Sequence, residues 1–227
     1  MPFLIILVVV IGLIFAPQWW AQYTFRRYNQ PRDDIPGSGG ELARHLLMRM
    51  QISQVAVEQT DKGDHYDPAQ RIVRLSPDNF NGRSLTAVAV AAHEVGHAIQ
   101  HHKGEPLLAT RTRMVTLAHW GEKVGAILMF AIPVVTLLTR MPHSGLLFFL
   151  LGFASMGLAT LVHLITLPVE WDASFNKALP LLKSGHYINQ KDERAVRQIL
   201  RAAALTYVAA SLASLLNLAR WMAFLRR

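Results

Sequence analysis

Residues 84–102 read SLTAVAVAAHEVGHAIQHH, and the rest of the chain is arranged around this stretch. The run Ala87–Ala92 is small and apolar, which predicts a helix packed on several sides. Ser84 is its expected N-cap, and His101 to Pro106 its expected end. Within it, His93-Glu94-Val95-Gly96-His97 is an H-E-x-x-H. Residues four apart share a helix face, so His93 and His97 can present two imidazole nitrogens to one Zn²⁺. Glu94 can reach a water held by such an ion and act as general base, while the ion lowers that water's pKa and polarises a carbonyl. Two histidines and a glutamate also occur by chance on a solvated helix face. The apolar run argues against that reading, because buried His and Glu need partners. Gly96 leaves room for a neighbouring element or a substrate, although Gly inside a helix costs ~1 kcal/mol relative to Ala.

The chain has 227 residues, 52% of them hydrophobic, which points to the membrane class. It has no cysteine, so structural disulfides are excluded and any zinc site must use His and carboxylate ligands. The net charge of +8 is not spread as a nucleic-acid footprint. The excess lies beside apolar segments and in 177–201, which fits a chain flanking a membrane and excludes nucleic acid as the expected partner.

Phe3–Trp19 is apolar and uncharged, ends at an interfacial Trp19-Trp20 pair, and reads as a retained helix rather than a signal peptide. Asn29–Gly40 is a loop and Glu41–Met50 a helix. Gln54–Gln59 and Arg71–Leu75 are short alternating runs around the turn-rich DKGDHYDP, expected as a β-hairpin or small sheet. Its role is open: a strand edge that holds an extended peptide, or a cover for the His93 helix. His101 follows His97 on one face, but three imidazoles in a row suit a tetrahedral ion poorly, so His101 and His102 are expected to be exposed or to support the ligands.

The expected fold is therefore mainly α and integral to a membrane, with about four transmembrane helices and a small α+β catalytic region. The segments are 1–22 (first span), 23–122 (catalytic region), 123–140 (second span), 145–167 (third span), 168–201 (segment carrying a third metal ligand) and 202–225 (fourth span). His163 near the end of the third span reads either as a packed residue or as a functional one. Basic residues concentrate on the face of 24–122 and 168–201. This predicts a multi-pass protein of the inner (plasma) membrane, with the active site on the cytoplasmic side and the lipid bilayer as partner.

A catalytic zinc takes three protein ligands and keeps one position open. Glu170 is the prominent candidate for the third: a carboxylate at a helix junction is costly unless bound or paired. The alternative is a nearby Arg or Lys partner. Asp172 could accept the free N–H of a ligating histidine.

AVAVAAHEVGHAIQH, the preceding YDP…VRLSP and the later LPVEWDAS resemble the neutral zinc metallopeptidase family of bacterial membrane proteins, the YugP-like family, and the resemblance covers nearly the whole chain. It implies a gluzincin-like, membrane-bound zinc endopeptidase with Zn²⁺ as cofactor, His93, His97 and Glu170 as ligands and Glu94 as base. Membrane-bound H-E-x-x-H families with a downstream Glu ligand often carry E-x-x-x-D after it. Here the acid, Asp172, stands at plus two and Ser174 at plus four.

The leading expectation is hydrolysis of peptide bonds in membrane-associated or membrane-proximal protein substrates. Two alternatives stand beside it: cleavage inside the bilayer, and a zinc-stabilised scaffold that cuts nothing. His101, His119, His186 and Tyr187 are open candidates for stabilising the oxyanion. Membrane-protein partners and a homo-oligomer are left open.

Overall fold

The computed structural model describes residues 2–139, 150, 154, 162 and 166–206. It divides into two compact units, one of which, 17–109 with 167–206, contains all the residues discussed below as a site.

That unit begins with the C-terminal half of α1 (Pro2–Arg27). Ala21 and Thr24 are buried there. Thr86 donates from Oγ1 to the Phe25 carbonyl (2.9 Å) and from its N–H to that of Tyr28 (3.2 Å). α2 (Gly39–Arg49) opens with a reciprocal cap: Ser38 Oγ accepts from Glu41 N, and the Glu41 carboxylate accepts from Ser38 N. Its first residue touches two backbones, since a Cβ on Gly39 would lie 2.9 Å from the Ala87 carbonyl oxygen and closer still to that of Asn79. α2 can lie against the central helix because that position is glycine.

A three-stranded sheet follows, of β1 (Ala56–Gln59), β2 (His65–Asp67) and β3 (Ile72–Leu75), in the order β1-β3-β2. β1 runs parallel to β3, with Val57 opposite Val73; β2 runs antiparallel, with Tyr66 opposite Val73. The two alternating runs therefore do not form the expected hairpin with each other. The DKGDHYDP segment between them supplies its own strand. Asp67 Oδ1 accepts from the N–H groups of Ala69 and Gln70 and turns the chain at once from β2 into β3. β1 is left to join the free side of β3. Val73 and Leu75 point into the core.

After the short α3 (Pro77–Asn81) comes α4 (Leu85–His102), whose residues Leu85 to Gln100 are all buried. α4 packs against α2, the sheet and the 172–178 segment. Leu46, Ile52, Val73, Val95, Ile99, Leu182 and Ile199 form one continuous core around it. α5 (Pro106–Thr139) runs unbroken from polar Arg111 and Arg113 into its apolar half.

Among the described residues no helix is long and apolar enough to cross a membrane. This overturns the expected integral-membrane fold with four transmembrane helices, and with it the multi-pass inner-membrane localisation. The tail of the first apolar segment is packed in protein at Ala21, and the fourth begins inside the same unit, where Ala202 and Ala204 are fully buried. Most of 145–167, including His163, and 207–225 lie outside the described residues.

Candidate active site

Ser84 starts α4 as a cap, its Oγ accepting from Ala87 N at 3.1 Å. Two and a half turns on, His93 and His97 stand side by side with ring centroids 4.8 Å apart. Glu170 enters from a helical stretch over 166–171 and is 0% exposed. Its Oε2 lies 3.2 Å from His93 Nε2 and 3.1 Å from His97 Nε2. The three groups offer ligand atoms that lie within 4.8 Å of one another, so they could hold a metal ion.

This spacing can be tested against an ion. Zinc takes nitrogen and oxygen ligands at about 2.0–2.2 Å, which places tetrahedral neighbours about 3.4 Å apart. The two N···O separations sit close to that value. Electrostatics agrees. Burial alone would push the Glu170 carboxyl up, but the charges and hydrogen bonds of His97 and His93 outweigh it and hold it well below the usual carboxylate range. A carboxylate so deeply buried needs a positive charge on the imidazole side, and a divalent cation supplies one.

The outer nitrogens of both rings are held. His97 Nδ1 donates to Gln100 Oε1 at 2.9 Å. Gln100 Nε2 in turn donates to the Val169 carbonyl (3.0 Å) and to Asp172 Oδ2 (2.8 Å). His93 Nδ1 donates to Ser174 Oγ at 3.0 Å, and the Ser174 hydroxyl donates to the Leu200 carbonyl at 3.3 Å, in the helix over 193–206. Each ring thus has its Nδ1 engaged and turns Nε2 toward Glu170. Asp172 thus reaches His97 through Gln100. It is bound by Lys177 and Asn176, each at 2.8 Å. Burial would raise its pKa; Lys177, Gln100 and Asn176 bring it down to about 2.

These contacts depend on a π-helical segment, Asp172–Ala178, which continues from the Glu170 helix into α6 (Leu179–Ser184). The wider turn leaves the Ala173 carbonyl against α4. A Cβ on Gly96 would lie 2.7 Å from that oxygen, so the neighbour for which Gly96 leaves room is this segment. Glu94 is buried on α4 beside His93.

None of the other candidates is among the three groups that could hold an ion. His101 Nδ1 and Tyr66 OH share a hydrogen bond (2.7 Å). Burial pushes the Tyr66 hydroxyl up to about 12, against the lowering effect of the Arg71 charge. His186 and His119 are exposed. Tyr187 OH accepts from Arg49 at 3.2 Å. Sequence reading missed Gln100 and Ser174. The signal for Ser174 was its plus-four position, where related patterns carry an acid.

Residues 3–226 match the family described as "Putative neutral zinc metallopeptidase". The chain is also similar to "Putative membrane protease YugP" of Bacillus subtilis (strain 168), with 36% identity over 225 residues that make up 98% of this chain and 96% of that protein. No solved structure matches it.

Proposed function

Because the chain belongs to the neutral zinc metallopeptidase family, we propose that it is an endopeptidase in which His93, His97 and Glu170 hold one Zn²⁺ and Glu94 is the general base. The bound ion would polarise the scissile carbonyl and acidify the attacking water. Glu94 takes one proton from that water as its oxygen bonds to the carbonyl carbon. The same carboxyl then gives the proton to the amide nitrogen as the C–N bond breaks. Gln100 and Ser174 keep the two imidazoles in the tautomer whose Nε2 is free to bind metal. The substrates are peptides or proteins.

The observation that carries this reading is one buried carboxylate oxygen shared by two imidazole nitrogens four residues apart on a helix. The test is Glu94→Gln, assayed on an unfolded protein substrate beside metal analysis. Zinc content should stay as in the wild type while cleavage falls by roughly 10²–10⁴-fold. Cleavage at the wild-type rate in that variant would remove Glu94 from the reaction.

A further inference from the structure

A cavity of about 230 Å³ lies where α4 meets the sheet, and Gln54, Tyr66, Arg71, Ala98, His101 and His102 are among the residues that line it. Among the described residues no carboxylate does. Tyr66 OH and His101 Nδ1 share a hydrogen bond (2.7 Å), and Gln54 Nε2 donates to His102 Nδ1 (3.1 Å). With its Nδ1 accepting, the His102 ring carries its proton on Nε2, where it is a donor. Arg71 adds a guanidinium with five more N–H groups and a fixed charge. Among the described residues Arg71 enters no ion pair. Asp67, in the same hairpin, is already taken by Arg74 and by the N–H groups of Ala69 and Gln70.

The backbone makes the same point. Arg71 has φ +56°, in the left-handed region. A turn leading into a strand fills that position most easily with Gly or Asn. An arginine there is strained, and its side chain lines the cavity.

The cavity is also placed for a substrate. Ala98 and His101 stand four and seven residues after Glu94 on one face of α4. Ala98, which lines it, therefore lies about one turn along α4 from Glu94, an axial rise of about 6 Å. An extended peptide advances about 3.3 Å per residue, so a group about two or three residues from the scissile bond reaches it.

We propose that this cavity is a carboxylate-recognition subsite, taking an acidic side chain or the C-terminal carboxylate of a peptide whose scissile bond lies at Glu94. This rests on the peptidase reading above. It gives the enzyme a preference for acidic peptides that the metal site alone would not impose.

The test reads binding rather than turnover, on the full-length Glu94→Gln protein. Three labelled decapeptides of one neutral sequence are compared by fluorescence polarisation: amidated, amidated with one central Glu, and with a free C-terminal carboxylate. One acidic form should bind roughly tenfold tighter than the neutral one, the factor a charge-assisted hydrogen bond supplies. Which form gains identifies the source of the carboxylate. Arg71→Gly, made in the same background, removes the guanidinium and suits the left-handed backbone. It should erase the gain, leave the neutral peptide's Kd unchanged and keep or raise the Tm. Equal binding of all three peptides overturns the proposal. So does a gain that survives Arg71→Gly, or a fall in Tm with weaker binding of every peptide, which would make Arg71 structural. A wild type that cuts nothing would sink the peptidase reading without altering these affinities, and an active peptidase indifferent to Arg71→Gly would sink only the subsite.

Discussion

Helix α4 and the π segment Asp172–Ala178 face each other across the candidate metal site, and they are built in opposite ways. α4 is regular, capped by Ser84, and buried from Leu85 to Gln100. It sets two imidazoles by simple periodicity. The π segment is an irregular turn whose value lies in where it puts Ala173, Ser174 and the preceding Glu170. A regular helix can repeat a side chain every turn. It takes a locally widened one to press its backbone onto a glycine and still hold a ligand's outer nitrogen. The comparison teaches that the two candidate imidazoles come from regular structure, and that His93 is held from the irregular half by Ser174 while His97 is held within α4 by Gln100.

If so, changes to the orienting contacts should weaken metal binding without unfolding the protein. Ser174→Ala removes the acceptor for His93 Nδ1, and Gln100→Leu that for His97 Nδ1. Each should lower zinc affinity roughly 10–100-fold, measured by competition with a chelator. Unchanged affinity in both would mean that α4 positions the rings unaided.

The contact itself comes next. Gly96→Ala improves helix propensity by ~1 kcal/mol. Its Cβ, however, would sit 2.7 Å from the Ala173 carbonyl oxygen, with rigid backbone on both sides. Overpacking of that kind costs about 1–3 kcal/mol. We expect a net loss, read as a Tm several degrees lower together with weaker zinc binding. A more stable variant would show that the two elements separate freely.

The smallest effect concerns Asp172, which ties Gln100 to Lys177. Its folded pKa, about 2, lies below the ordinary value of 3.8. A depressed pKa contributes stability above the unfolded value and loses it as pH falls through the folded one. Asp172→Asn should therefore cost at most about 2 kcal/mol near neutrality, and the difference from wild type should fade between about pH 4 and pH 2. Denaturant unfolding across that range measures it. A difference independent of pH would assign the loss to packing.

The regular half was largely legible in the sequence. Ser84 as cap, the alanine run as a buried helix and the shared face of His93 and His97 follow from local rules. Glu170 could be singled out because a carboxylate at a helix junction calls for a partner. The contacts of Ser174 could not: its partners lie 81 residues back in His93 and 26 ahead in Leu200, and the π turn that aligns them leaves no compositional mark. The same limit applies to the sheet, where an Asx turn at Asp67 makes β2 the antiparallel hairpin partner of β3 and leaves β1 to pair in parallel. Hydrophobicity misled as well. Ala21 and Ala202, which fall in segments read as bilayer spans, are buried within the unit that carries the candidate site.

The account depends on a carboxylate and two imidazoles closing on one ion. Zinc stoichiometry of the purified protein after exhaustive dialysis, measured beside Glu170→Ala, tests it most directly. We predict about one tightly held zinc per chain in the wild type and its loss in the variant, exceeding the roughly 10–100-fold effect of outer contacts. Full zinc retention without Glu170, with both histidines intact, would contradict it.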